Sequence, residues 1–209
     1  LIVIDHHSIE EVYMLDIHAM NISQLNKTAK SFCKEREAHF IWEHAQRLYE
    51  TSESPKFRYY AIFLLGHLAP YSSYALHYLK ETVSEDQDWR AQEVLAKAFE
   101  SYCADIGYDK ALPCIREWLE DPRPNVRRAV IEGLRVWTNR PYFRFHPQEA
   151  LELLAPKKTD PSDKIRKSAG SAISDISKKH RHLVAKEVEL WDRSNPLVAY
   201  TYEFAVRHL

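Results

Sequence analysis

The chain has 209 residues, 45% of them hydrophobic, with only four glycines, which excludes a disordered or collagen-like chain and leaves room for one sizeable core or an array of small repeats. The formal net charge is −1, but between Asp121 and Lys186 lysine and arginine outnumber aspartate and glutamate by about eight, and the remainder is acidic by a similar margin. Such a basic stretch either attracts a polyanion or forms the solvated outer face of several helices.

In chain order, "LIVIDHH" is an apolar opening without a basic flank and is too short for a signal peptide. "SIEEVYMLDIHAM" and "ISQLNKTAKSF" predict one or two capping helices. "YYAIFLLGHLA" spans only about half a bilayer, so no transmembrane helix and no membrane partner is expected. Cys33, Cys103 and Cys114 lack metal-type spacing and read as reduced, core-filling thiols of a cytoplasmic protein.

From residue 55 onward the chain repeats itself. "SPKFRYYAIFLLG", "DQDWRAQEVLAKA", "DPRPNVRRAVIEGL" and "DPSDKIRKSAGSAI" share one plan, and "SNPLVAYTYEFAV" follows it loosely. Each opens with a capping Ser, Asp or Asn, often followed by Pro (Pro55, Pro122, Pro161, Pro196), and continues with an apolar residue and Arg. The pairs are Phe57-Arg58, Trp89-Arg90, Val126-Arg127 and Ile165-Arg166, with Val198-Ala199 closing the series. Ahead of each runs another amphipathic segment: "CKEREAHFIWEHAQRLY", "YALHYLKETV", "KALPCIREWL", "PQEALELLA" and "HLVAKEVELW". Two helices per period of about 35 residues predict an all-α, HEAT-like helical-repeat superhelix, an α-solenoid. Residues 1–209 read as one domain, with 1–54 supplying capping helices and the first repeat helix.

Aligned on the apolar-Arg pair, the position three after Arg holds Ala61, Glu93, Val130, Ala169 and Tyr202, so Glu93 is a carboxylate in an apolar column. A lone buried charge costs several kcal/mol. Glu93 therefore either pairs with an Arg of the next repeat or lines a cleft open to solvent, with Trp89 beside it at i−4. The Arg column (Arg58, Arg90, Arg127, Arg166) recurs once per repeat and reads as architecture. Arg128 is no repeat requirement, since its column holds Tyr59, Ala91, Lys167 and Tyr200. Trp89, Glu93 and Arg128 are expected on successive second helices.

Other motifs leave two readings each. His6-His7 with His18, and His180 with His182, are metal candidates or helix-end histidines; without acidic or thiol ligands at compact spacing, no metal and no cofactor is expected. "WTNRPYFRFHP" interleaves aromatics with Arg, to stack on bases or to cover its own loop. "KKHRH" at 178–182 suits either a phosphate backbone or a helix C-terminus.

The segment "DWRAQEVLAKAFESYCADIGYDKALPCIREWLEDPRPNVRRAVIEGLRVWTNRPYF", extended by "DKIRKSAGSAISDISKKH", resembles the DNA alkylation repair family of HEAT-like-repeat (AlkD-like) proteins, over roughly residues 55–209. The resemblance implies a curved solenoid that holds a DNA duplex on a basic concave face and removes N3- and N7-alkylated purines. It implies Trp89 as the nucleotide-contacting aromatic, Glu93 as the catalytic carboxylate and Arg128 as a phosphate-facing Arg, with Arg166 and Lys167 near phosphate. Two positions depart from the family pattern. Glu93 stands where Asp is usual, and Ser171 stands where a second nucleotide-contacting Trp is usual. The function expected is a DNA-interacting family member that recognises N3- or N7-alkylpurines in double-stranded or structured DNA without full glycosylase activity. The alternative is a HEAT-repeat scaffold for a protein partner, without DNA binding.

Overall fold

The computed structural model describes residues 17–209, so the opening run and most of "SIEEVYMLDIHAM" lie outside the described residues. Helices and turns account for those residues, with no strand among them. Among the described residues eleven whole α-helices follow one another: α1 (Ile22–Lys34), α2 (Ala38–Thr51), α3 (Pro55–Leu68), α4 (Ser73–Glu81), α5 (Trp89–Ile106), α6 (Tyr108–Leu119), α7 (Pro124–Gly133), α8 (Pro141–Phe145), α9 (Pro147–Leu154), α10 (Asp163–Glu189) and α11 (Pro196–Ala205). The fold is the all-α helical repeat expected. The chain divides into two compact units, residues 1–98 and 99–209, and the division falls inside α5.

In the first unit a capping box starts α1, where Asn21 Oδ1 accepts the Gln24 amide (3.0 Å) and Gln24 Oε1 accepts that of Asn21 (2.8 Å). Pro55 opens α3, and α1, α2 and α4 all pack on that helix. This explains "YYAIFLLGHLA": Tyr60, Ala61, Leu64, Leu65 and Leu68 are buried because α3 is covered on every side. Each buried Leu or Phe contributes roughly 1.5–3 kcal/mol.

In the second unit Gly107, at φ +94°, admits the turn into α6. The long α10 bends at His180 (φ −129°, ψ 49°), where the two expected helices meet, and packs on α7, α9 and α11. Gly170 lets α10 and α11 touch; a Cβ there would meet Thr201 O at 2.6 Å and Phe204 Cβ at 2.8 Å. "WTNRPYFRFHP" is covered in part by its own aromatics, with Phe145 left exposed. Trp137 and Phe143 are fully buried, the Trp137 indole N–H donates to Ile131 O (3.1 Å), and Arg140 donates to the carbonyls of Gly133, Leu134 and Arg135 and to Glu100.

The turns leading into the second helices repeat one device. Asp86, Asp121, Asp160 and Asp192 each accept the amide two residues on, those of Asp88, Arg123, Ser162 and Ser194. Six residues after Asp121, Arg127 Nη1 donates back to Asp121 O (2.6 Å) and Pro122 O (2.9 Å). Six residues after Asp160, Arg166 Nη1 does the same to Asp160 O (2.6 Å) and Pro161 O (3.1 Å). Six residues after Asp86 stands Gln92, whose Nε2 donates to Asp86 O (2.8 Å) and Val83 O (3.0 Å).

Gln92 thus occupies the arginine's place, and the register expected for α5 is two residues early. Burial agrees. Ala91 and Leu95 are wholly buried, like Val126 and Val130 or Ile165 and near it Ala169, whereas Trp89 is 59% exposed. Two expected details also change. Pro122 and Pro161 lie in the turns, with Pro124 as the first residue of α7. Asn195 caps its helix through its side chain, while Ser54 and Ser162 form no such bond.

Candidate nucleic-acid interface

The first unit carries Trp89 and Glu93 on the opening turns of α5. That end of the helix rests on a polar network. Asp86 accepts the Tyr49 hydroxyl (3.0 Å) and lies 3.6 Å from Arg58 Nε; Asp88 accepts the Tyr59 hydroxyl and the Arg90 amide (2.9 Å) and lies 3.6 Å from Arg58 Nη2. Burial works against the Asp88 carboxylate, but the Tyr59 phenol, the Arg90 amide and the Arg58 and Arg90 charges outweigh it and hold its pKa below the usual range. Burial and the Asp88 hydrogen bond push the Tyr59 phenol up to about 12.

Above this footing both candidate residues face solvent. The Trp89 ring is exposed, and the Arg90 guanidinium lies 4.6 Å from its centroid. Glu93 is exposed, one turn from Trp89, and forms no side-chain hydrogen bond or ion pair among the described residues. It is neither a column-lining buried acid nor half of an inter-repeat ion pair. In the corrected register it follows Gln92 as Arg128 follows Arg127 and Lys167 follows Arg166, so its column is Tyr59, Glu93, Arg128, Lys167 and Tyr200. A charge stands there because that position is turned outward in α5, α7 and α10.

The second unit separates structural cations from available ones. Arg127 is buried and fork-bonded to Asp160 (Nε to Oδ2 2.8 Å, Nη2 to Oδ1 2.9 Å). Arg135 pairs with Asp175, Arg140 with Glu100, Lys157 with Glu120 and Lys178 with Asp175. Burial works against the Asp175 carboxylate, but its bonds to Lys178 and Arg135 hold its pKa low. Arg166 is buried too, with its head on two carbonyls and 5.2 Å from the Tyr200 ring, so it is committed to the turn.

Arg128 is half-buried and Lys167 exposed, and neither meets a carboxylate among the described residues. Lys167 Nζ stands 5.8 Å from the Phe204 ring. Ser171, one turn further along α10, is half-buried. The structure therefore brings Trp89 and Glu93 together in one unit, and Lys167 and Ser171 together in the other, with Arg128 on α7, which packs against α10. Sequence reasoning passed over Arg207, whose guanidinium lies 4.2 Å from the same Phe204 ring; its signal is the stripe Tyr200, Phe204, Arg207 at i, i+4 and i+7.

Among the described residues no group of three or more His, Cys, Asp or Glu side chains forms a metal-binding cluster, and no helix is long and apolar enough to cross a membrane. His6 and His7 lie outside the described residues.

Comparison with known proteins supplies the context for this surface. Residues 13–209 match the sequence profile of a family described as DNA alkylation repair enzyme, a match that reaches well before residue 55. The fold is similar to the crystal structure of AlkD2 from Streptococcus mutans, at 40% identity and a TM-score of 0.87, with 91% of each chain covered. It is also similar to smu.31 from Streptococcus mutans UA159, at 38% identity and a TM-score of 0.86, covering 97% of this chain and 96% of that one. A curated protein of Bacillus subtilis (strain 168), uncharacterized protein YhaZ, is 30% identical over 108 residues, which are half of this chain and 30% of that protein's length.

Proposed function

Because this chain belongs to the DNA alkylation repair enzyme family, we propose that it is a DNA-interacting member, with Arg128 and Lys167 on backbone phosphates and Trp89 and Glu93 toward a nucleotide. The observation that carries this reading is the outward register position one after the buried Arg or Gln. In the second unit it presents guanidinium and ammonium groups that no carboxylate among the described residues neutralises. Cations left without acids gain most from a polyanion, since each phosphate they meet releases a condensed counterion.

The substrate class follows from the acid. N3- or N7-alkylation gives a purine a positive charge and weakens its glycosidic bond, and a carboxylate near the sugar stabilises the oxocarbenium charge that develops as the bond breaks. Glu93 has the chemistry for this role, and having no partner among the described residues it is available for it. Three features argue against full glycosylase activity. Arg90 already places a positive charge over the Trp89 ring, which opposes a cationic base on that face. Ser171 offers no aromatic wall. Glu93 is one methylene longer than the usual Asp and has no hydrogen bond to fix it, and catalysis by a positioned charge depends on its being held.

Titration of a labelled duplex at low and moderate salt tests the DNA reading; affinity is expected to fall steeply with salt. Absence of binding at low salt would overturn it in favour of a protein-interaction scaffold, the reading that the near-neutral net charge of −1 favours. Release of 7-methylguanine or 3-methyladenine from alkylated DNA, compared with Glu93→Gln, tests the chemistry. Little release is expected from either protein. Efficient release by the wild type that vanishes in the variant would establish a full glycosylase.

A further inference from the structure

The turn after the last helix carries a cation that the phosphate reading above does not use. Arg207 stands in that turn, two residues past the end of α11 and three past the buried Phe204. Its guanidinium lies 4.2 Å from the Phe204 centroid, and Lys167 Nζ approaches the same ring to 5.8 Å from α10. The two positive groups are therefore no more than about 10 Å apart, the sum of those ring distances.

Like charges gather at such a distance at a cost unless something between or beyond them compensates. The ring supplies a part of that compensation. Among the described residues no carboxylate supplies the rest. Glu203, four residues before Arg207, makes no ion pair with it among the described residues. The contrast with Arg135, which stands two residues past the end of α7, is direct, because Arg135 is neutralised by Asp175 and Glu132. Close packing of α10 on α11 at Gly170 fixes the two backbones that hold this pair.

We propose that Arg207 and Lys167, both held on Phe204, form a two-cation clamp for neighbouring phosphates of one DNA strand, carrying the phosphate contacts of Arg128 onward to the turn after α11. Strand charges recur every ~3.4 Å along a duplex axis, so a span of this size accommodates two phosphates of one strand. The proposal rests on the DNA-binding reading, and the experiment separates the two.

Duplex affinity is measured against salt for the wild type and for Arg207→Gln, Lys167→Gln, the double variant and Arg128→Gln. Each lost contact flattens the slope of log K against log salt by about 0.9, a loss of roughly fivefold to tenfold in affinity near 0.1 M salt, and the double variant flattens it by about twice as much. Arg207→Lys restores the slope. Phe204→Leu keeps both charges and the slope but weakens binding by a smaller factor, because the cations are no longer held. Wild-type slope and affinity in Arg207→Gln, with Arg128→Gln flattened, would overturn the clamp and leave the DNA reading standing. A wild type without salt-dependent binding would remove both. Thermal melting in inorganic phosphate is the remaining arm: no shift is expected, and an Arg207-dependent shift without any effect on duplex binding would assign a free-phosphate site and overturn the strand clamp.

Discussion

The two units build the same joint with different chemistry. In the second unit Arg127 and Arg166 anchor the turns, and Arg127 also closes a buried fork with Asp160. In the first, a neutral amide, Gln92, makes the corresponding bond to Asp86 O, and a second to Val83 O, without a charge. The outward neighbours of these anchors differ in the same sense: Glu93 follows Gln92, whereas Arg128 and Lys167 follow the arginines. The fold requires the anchor's hydrogen bonds and leaves the next position open, and that open position is where the units diverge into an acidic and a cationic face.

The anchors allow the hardest test. Arg127→Ala leaves the Asp160 carboxylate buried and unpaired and two turn carbonyls unbonded, and is expected to cost about 3–5 kcal/mol. Gln92→Leu strands two carbonyls but no charge, for about 1–3 kcal/mol. Urea midpoints measure both. If the two variants lose stability equally, the neutral and charged anchors are not distinct devices.

The outward position is tested by exchange. Glu93→Lys gives the first unit the residue type found at Lys167 and is expected to tighten duplex binding about fivefold to tenfold near 0.1 M salt, steepening the salt slope by about 0.9. An unchanged slope would mean that Glu93 does not face phosphate-bearing ligand at all, and that the register equivalence carries no functional equivalence.

Among the described residues the first unit holds a carboxylate whose pKa is depressed, Asp88, and the second holds Asp175 and Asp192. A depressed pKa stabilises the folded state above the ordinary aspartate pKa of about 3.9, and that contribution disappears as pH falls through the lower folded value. Thermal melts between pH 6 and pH 2 should therefore lose less stability on acidification in Asp88→Asn and in Asp175→Asn than in the wild type, although each variant starts lower at pH 6. Parallel acid curves for wild type and variants would show that these pairs do not set the acid limb.

Helix pairs and periodicity were legible in the sequence because capping residues, prolines and apolar stripes act locally, and the family relationship was legible as the resemblance over roughly residues 55–209. The register of α5 was not. Trp89-Arg90 imitates the apolar-Arg pair, whereas the true equivalents, Ala91 and Gln92, look unremarkable. The signal that resolves it is Asp86, six residues before Gln92, as Asp121 and Asp160 stand six before their arginines. Once the register moves, Glu93 leaves the apolar column, and the puzzle of a charge among buried groups dissolves. Arg166 has two readings in the sequence, a repeat-column architecture and, through the resemblance, a place near phosphate; its head bonds the Asp160 and Pro161 carbonyls, which fits the first. Arg207 was hidden because its partners are a ring and a lysine on different helices, a pairing no local pattern announces.

The smallest expected effect isolates the Trp89 face. In the first unit the only aromatic proposed to meet a nucleotide carries its own cation, Arg90, at 4.6 Å. An exposed cation–π contact is worth about 0.5–1 kcal/mol, and a second cation approaching that face must displace the first or share the ring with it. Arg90→Ala should therefore shift the ratio of affinities for duplexes with and without a 7-methylguanine toward the alkylated one by about twofold to fivefold, the equivalent of that contact energy. It also removes a positive charge, so binding to both duplexes weakens, and the ratio rather than either affinity is the informative quantity. An unchanged ratio would show that Trp89 meets DNA by its other face or not at all, and Arg90 would then serve only to steady the start of α5 through Asp88.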